Sequence, residues 1–246
     1  MTYTFTKNEN EVTELYGGED TKLLLTGAYG VNFYAVEGQP LGVFYTTVPK
    51  RNENGEYIVN PSNGFYEPSD EEQAVGTSQR DFVMGLTNSI SYKNFSLSTS
   101  LDWKQGGEMY SYTARLLAFT GNSRLTTFNE RNPFIIPNSV VENEDGSFSE
   151  NTTPVTFGEI TNFYNATSNA PIEATQVIDK TFVRVRDLSL TYNLNTAFVE
   201  NLGLVSASIT AYGKNIFMWT PDENPYVDPE VSTYGSDLLG EFGEFA

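Results

Sequence analysis

The side chains that most often carry out covalent chemistry in proteins are missing from this sequence. Its 246 residues contain no His and no Cys. This excludes a Ser-His-Asp hydrolase, a His-based zinc site, thiolate chemistry and a disulfide framework in this chain. Asp and Glu together number 32, but no pair of them lies in a motif typical of glycoside hydrolysis. We therefore predict that the chain is not an enzyme and has no catalytic site, metal site or cofactor.

Three charged residues fall on the polar side of segments in which apolar and polar residues alternate. Asp102 and Lys104 flank Trp103, and Lys214 lies in a later alternating segment. Because successive side chains of a strand point to opposite faces, Asp102 and Lys104 share a face. They could contact a polar solute, or they could form an exposed ion pair that contributes well under about 1 kcal/mol.

Two arginines share the parity of apolar residues. Arg184 and Arg186 alternate in step with Leu188 and Leu190. Guanidinium groups on an outward face could hold lipid phosphates, because their planar fork matches phosphate oxygens. The alternative is a β-bulge near Asp187, which would shift the phase and turn both arginines to the polar face.

The clearest alternation runs from Phe82 to Trp103, with one break at Lys93-Asn94. One parity is large and apolar and the other is mostly Ser, Thr and Gly, which predicts a β-hairpin with one apolar and one polar face. Each arm is about ten residues long, the length of a tilted strand that crosses a bilayer. The strands predicted along the whole chain are residues 2–7, 80–92, 95–104, 181–194 and 205–217.

The connections between these strands alternate between short and long. Lys93-Asn94 and residues 195–204 are short, whereas residues 8–79, 105–180 and 219–246 form long loops. Loops longer than about 12–15 residues are uncommon in compact domains. Short turns at one end of a sheet and long loops at the other are typical of outer-membrane β-barrels.

The long loops carry aromatic side chains that could stack on a sugar ring. The candidates are Tyr110, Tyr112, Tyr226 and Tyr234, and ordinary packing is the alternative. The formal net charge of −18 argues against a surface that binds nucleic acid. No apolar leader is visible in the first seven residues, so the chain is either cytoplasmic or a piece of a longer protein.

Seven short segments follow one another between residues 94 and 231. They are NFSLS at 94–98, DWKQGG at 102–107, FTGN at 119–122, NPFIIPNSV at 132–140, FVRVRDLSLTY at 182–192, YGKNIFMWT at 212–220 and DPEV at 228–231. No single segment is diagnostic. Their order and spacing resemble the C-terminal part of the SusC/RagA family of TonB-dependent outer-membrane transporters of Bacteroidota.

The resemblance implies an all-β fold in which antiparallel strands form part of a 22-stranded transmembrane barrel with long extracellular loops. We expect residues 1–246 to be the C-terminal part of that barrel, without the family's plug, TonB box and final strand. The family implies TonB-driven import of oligosaccharides or peptides across the bacterial outer membrane, in contact with its lipid. A SusD-like surface lipoprotein is the implied partner.

The resemblance also gives the candidate residues their roles. Asp102, Lys104 and Lys214 are expected to line the lumen or the substrate path. Arg184 and Arg186 are expected to contact lipopolysaccharide at the outer rim, and the four loop tyrosines are candidate substrate contacts.

A soluble extracellular β-sandwich that binds glycans is the alternative to a transporter. A soluble sheet would also place apolar residues on one face. In that case Leu97, Leu101, Leu190 and Ile209 would face a second sheet of the same chain.

Overall fold

Antiparallel β-sheet dominates the computed structural model, which describes residues 1–17, 21–201, 203–231 and 242–244. The strands in chain order are β1 (Thr2–Thr6), β2 (Lys22–Ala28), β3 (Val31–Val36), β4 (Val43–Thr46), β5 (Tyr57–Ile58), β6 (Gln73–Thr77), β7 (Phe82–Tyr92), β8 (Phe95–Gln105), β9 (Glu108–Ser111), β10 (Ser139–Glu142), β11 (Phe148–Glu150), β12 (Val177–Asp179), β13 (Phe182–Asn193), β14 (Ser208–Trp219) and β15 (Gly243–Glu244). The α-helices are α1 (Tyr112–Phe119), α2 (Ile160–Phe163) and α3 (Thr196–Glu200), and 3-10 helices span Arg124–Thr127, Phe157–Glu159 and Ala170–Gln176.

The chain divides into two units. The first comprises residues 1–9, 80–107 and 179–225, and the second comprises residues 10–79, 108–178 and 226–246. The first unit contains one antiparallel sheet of strand order β1-β7-β8-β13-β14. These strands lie in the five segments where the sequence alternates, although β14 begins and ends later than the predicted 205–217.

One face of this sheet is apolar and the register aligns its side chains in rows across the strands. Ile90 lies opposite Leu97, Leu97 opposite Leu190, and Leu190 opposite Ala211. Ile90, Leu97 and Leu190 are 57%, 42% and 46% exposed, respectively. Large apolar side chains normally lie in a core, so an exposed row of them marks a surface made for a non-aqueous or protein neighbour.

Aromatic side chains gather at both ends of the apolar face. At the end with the short turn, the ring centroids of Phe95 and Tyr192 are 4.8 Å apart. At the other end, Phe82 lies between Phe5 and Trp103, with centroids 5.6 Å and 5.1 Å away. This distribution is typical of membrane-crossing strands, which carry aromatic girdles at both interfaces.

The second unit has its own sheets and cores. Its sheets have the orders β2-β3-β4-β6, β11-β10-β5 and β12-β9-β15. One core cluster is centred on Val155 and Phe163, and a second on Phe33, Phe44 and Tyr110. The segments predicted as long loops therefore contain packed secondary structure.

Among the described residues, no helix is both long enough and apolar enough to cross a membrane.

Alanine substitutions at two glycines of the second unit would test how tightly this unit is packed. Gly64 and Gly55 have left-handed backbones, with φ of +73° and +80°, so alanine strains both by about 1–2 kcal/mol. A Cβ at Gly64 would lie 2.7 Å from the backbone oxygen of Thr153, whereas a Cβ at Gly55 meets nothing within 4 Å. We expect Gly64→Ala to increase hydrogen exchange of nearby amides more than the control Gly55→Ala. Equal exchange in the two variants would contradict this packing.

Candidate functional site

The polar face of the five-stranded sheet holds the charged residues that the sequence singled out. Lys214 lies opposite Asp187, which lies opposite Ser100. The hydroxyl of Tyr212 donates a hydrogen bond to Asp187 Oδ1, and the Lys214 Nζ is 5.7 Å from the Tyr212 ring centroid. Lys214 therefore joins a polar row across the strands, apart from Asp102 and Lys104 near the end of β8.

A β-bulge decides which face the two β13 arginines occupy. The register shifts between Val185 and Asp187, so that Arg186 has no residue opposite it on β8. The shift places Arg184 opposite Asp102 on the polar face, and the Arg186 Nε donates to Asp102 Oδ2 at 2.7 Å. The bulge alternative is therefore the arrangement that the structure has.

The lipopolysaccharide interpretation depended on Arg184 and Arg186 lying on the apolar face. Val183 and Val185 lie there instead, opposite Trp103 and Leu101. The extra residue at position 186 reverses the facing of the whole segment that precedes it, because side chains alternate with period two. Both arginines therefore lie off the apolar face that the lipopolysaccharide contact requires.

Four cationic side chains surround the buried ring of Phe182 at the start of β13. The charged groups of Arg184, Lys104, Arg80 and Arg186 lie 5.2, 5.4, 5.6 and 5.9 Å from its centroid, respectively. Each distance is within the range of a cation–π interaction. Sequence reasoning missed Arg80 because it lies before Phe82, where the clear alternation begins. It missed Phe182 because the bulge hides the face on which this residue lies.

The loop tyrosines occupy very different environments. Tyr110 is fully buried and its hydroxyl donates to Glu173 Oε1 at 2.8 Å, so it belongs to a core and offers no ring face to a ligand. Tyr226 is half-buried, and its hydroxyl is hydrogen-bonded to the Ser123 hydroxyl. Tyr234 lies outside the described residues.

Tyr112, at the start of α1, forms an aromatic pair that sequence reasoning did not find. Its ring stacks on Tyr29, with centroids 4.7 Å apart and an angle of 23° between the planes. Tyr29 is 44% exposed and lies with Gly30 in the turn between β2 and β3. The Arg115 Cζ is 4.9 Å from the Tyr29 centroid and 5.9 Å from that of Tyr112.

A buried carboxylate holds Arg115 in place. Glu173 is 2% exposed; its Oε2 accepts from the Arg115 Nε at 3.1 Å, and its Oε1 accepts from Tyr110. Burial raises the pKa of Glu173, and the hydrogen bonds and charge of its two partners oppose that rise. Burial, with the nearby Glu173 carboxylate, also raises the pKa of the Tyr110 hydroxyl. The aromatic pair is thus connected to the core through one arginine.

A groove of about 660 Å³ lies elsewhere in the second unit, beside β10 and β11. Its lining includes the apolar residues Ile135 and Phe148 and the acidic residues Glu56 and Glu150. None of the residues predicted from the sequence as site residues lines it. Neither this groove nor any other part of the described chain groups three or more Asp, Glu, His or Cys residues in a way that could hold a metal ion.

Comparison with known proteins gives a consistent set of relatives. No family model matches the chain. TonB-dependent receptor P3 of Formosa agariphila is 25% identical over an alignment of 254 residues that covers 94% of this chain and 23% of the receptor. TonB-dependent receptor SusC of Bacteroides thetaiotaomicron is 31% identical over 116 residues, which cover 41% of this chain and 11% of SusC. The predicted resemblance to the SusC/RagA family is confirmed.

Solved structures agree at the level of the fold. The RagAB peptide transporter superposes on 90% of this chain with a TM-score of 0.54 at 15% identity, and the match covers 23% of that transporter chain. The RagAB peptide importer in the closed-closed state gives a TM-score of 0.53 at 16% identity. The SusC/RagA-like chain thus spans less than a quarter of the length of each of these relatives. These relatives are receptors and transporters rather than enzymes.

The raised pKa of Glu173 gives a prediction about stability. A carboxyl whose pKa is higher in the folded state stabilises it most at pH below the ordinary value of 4.5, and this stability is lost as the pH rises through the folded-state pKa. We expect Glu173→Gln to remove this loss of stability with rising pH. The measurement is the thermal unfolding midpoint of the second unit between about pH 4 and 8.

Asp145 provides a control whose contribution to stability has the opposite pH dependence. Hydrogen bonds from Ser147 lower its pKa, so its contribution is lost as the pH falls rather than as it rises. Asp145→Asn should leave the decrease above pH 4.5 intact. A wild-type midpoint that rises through that range would contradict the assignment of Glu173.

Proposed function

We propose that the chain is a segment of a TonB-dependent importer in the bacterial outer membrane. It takes up oligosaccharides or peptides together with a SusD-like surface lipoprotein. The observation that carries this proposal is the exposed apolar face of the five-stranded sheet. The sequence relatives, which are TonB-dependent receptors, and the fold shared with a peptide transporter support it.

In this proposal, the apolar face meets lipid. Its strands β7, β8, β13 and β14 are 11 or 12 residues long, sufficient to cross the hydrocarbon region when tilted. Backbone groups of β8 and β13 are paired with a neighbouring strand on both sides, as a bilayer without water requires. The outer edge of β14, which pairs only with β13 among the described strands, would pair with a further strand of the barrel. Removing the exposed apolar side chains from water would contribute about 25 cal/mol for each Å² buried.

The opposite face would line the lumen. It carries Ser89, Ser98 and Ser189 in one row and the Arg186–Asp102 ion pair near one end. Small polar side chains leave space and hydrogen-bonding groups for water, a plug or a passing solute. Asp102, Lys104 and Lys214 remain candidates for this path because all three lie on the polar face.

The second unit would form part of the extracellular vestibule and of the surface that receives the lipoprotein. Its segments 10–79 and 108–178 and the residues from 226 onward all leave the sheet from the end opposite the short turns. Long extracellular loops and short periplasmic turns are the arrangement of outer-membrane barrels. Energy for import would come from TonB acting through regions of the protein other than the wall.

A soluble β-sandwich is disfavoured by the exposure of the residues that would have to face its second sheet. Leu97, Leu190 and Ile209 are 42%, 46% and 66% exposed. In a sandwich, inward residues of the two sheets interdigitate and are buried.

Arginine scanning of one strand tests the membrane wall. Leu101, in the middle of β8, lies on the apolar face, and its neighbour Ser100 lies on the polar face opposite Asp187. An arginine at the bilayer midplane costs about 2–4 kcal/mol. We expect Leu101→Arg to lower the amount of heat-modifiable, folded protein in outer membranes, and the matched Ser100→Arg to leave it near the wild-type level. Equal folding of both variants, or full solubility without detergent, would refute the proposal that the sheet is part of a membrane wall.

Transport itself is tested with the complete gene product in its host. We expect uptake of labelled oligosaccharide or peptide pools to be lost on deletion of TonB or of the SusD-like lipoprotein, while the folded protein stays in the outer membrane. The reason is that neither the wall nor the vestibule contains an energy source. Undiminished uptake in the TonB deletion would contradict the proposal.

A further inference from the structure

Tyr29 has an unusual backbone conformation for an aromatic residue. Its φ is +54°, in the left-handed region that residues with a side chain disfavour. Residues held in such strained conformations cluster at ligand-binding positions. Here the strained turn between β2 and β3 presents the Tyr29 ring beside the Tyr112 ring at the start of α1.

Arg115 is oriented toward this pair from one turn further along α1. Its Nε is bound to Glu173, and its Cζ lies within 6 Å of the rings of Tyr29, Tyr112 and Phe119. Neither terminal nitrogen of its guanidinium makes a hydrogen bond to any described residue, and the side chain remains 15% exposed. The guanidinium is therefore positioned through Nε while its terminal fork stays available.

The combination of two tyrosine rings and an arginine fork matches one ligand chemistry. An exposed aromatic face accepts the apolar face of a pyranose ring. A guanidinium pairs two oxygens of a carboxylate through parallel hydrogen bonds. In a uronic acid the carboxylate is attached directly to the pyranose ring, so both groups fall within the few ångströms that separate Arg115 from the tyrosines.

We propose that Tyr29, Tyr112 and Arg115 form a contact site for a uronic acid residue of an acidic oligosaccharide. The site rests on the proposed function, because it selects among substrates of the importer. Glu173 is a positioning residue, which holds Arg115 through Nε and leaves the fork to the ligand carboxylate. Neutral sugars would use the rings alone and leave the fork without an anion.

Calorimetry on the complete protein, purified in detergent, tests the site. The probes are trigalacturonate, the neutral sugar galactotriose and triglutamate. We expect trigalacturonate to bind more tightly than either other probe. Arg115→Gln should weaken the binding of trigalacturonate by about tenfold or more and leave the affinity for galactotriose unchanged, because only the carboxylate contact is lost. Tyr29→Ala should weaken the binding of both sugars.

Two further variants keep the test decisive. Arg115→Gln leaves Glu173 buried without its cation, so the double variant Arg115→Gln/Glu173→Gln removes both charges together and should show the same selective loss. Arg124→Gln removes an exposed arginine of the neighbouring 3-10 helix and is the control for net charge, with unchanged affinity expected. Heat-modifiable mobility on gels reports that each variant is folded.

Equal affinity for galactotriose and trigalacturonate, tighter binding of triglutamate, or an Arg115→Gln variant with wild-type affinity would each overturn the uronate site. These outcomes are separate from failure of the transporter proposal, because binding in detergent needs no TonB. A protein that imports other substrates in a TonB-dependent way but binds no uronate would retain its proposed function and lose this site.

Discussion

The apolar row that crosses β7, β8, β13 and β14 is the constraint on which the first unit depends. Backbone pairing holds Ile90, Leu97, Leu190 and Ala211 side by side, and much of their surface is exposed. Hydrogen bonds between the strands satisfy the backbone inside the sheet, but they leave the apolar side chains in contact with water. The proposed lipid environment resolves this conflict, because it removes the side chains from water. The edges of the sheet at β1 and β14 would then pair with further strands of the barrel.

A single extra residue keeps charge off this face. Without the bulge at Arg186, Arg184 would share a face with Leu188 and Leu190, where a cation in a bilayer costs up to about 2–4 kcal/mol at the midplane. With the bulge, Val183 and Val185 continue the apolar face and the arginines meet Asp102 and the ring of Phe182. The same irregularity thus protects the apolar face and builds a cationic cluster on the polar one.

The second unit differs from the first in that its apolar residues are largely packed against one another. Tyr110, Glu173 and Arg115 link one of its cores to the surface through two hydrogen bonds. A buried carboxylate is stable only when such partners are present. Their positions are therefore fixed, and the surface pair Tyr29–Tyr112 is held next to an arginine whose orientation the core determines.

Period-two alternation in the sequence was sufficient to locate the five strands of the sheet and the break at Lys93-Asn94, since strand geometry imposes that period wherever one face is apolar. The short motifs were sufficient to indicate the SusC/RagA resemblance. The facing of Arg184 and Arg186 could not be read from alternation, because a bulge changes parity without leaving a clear signal in the residues around it. The stack of Tyr29 on Tyr112 and the bond from Arg115 to Glu173 join positions 83 and 58 residues apart. Only tertiary packing brings such residues together, because residues distant in the chain have no periodic relation that would reveal their contact.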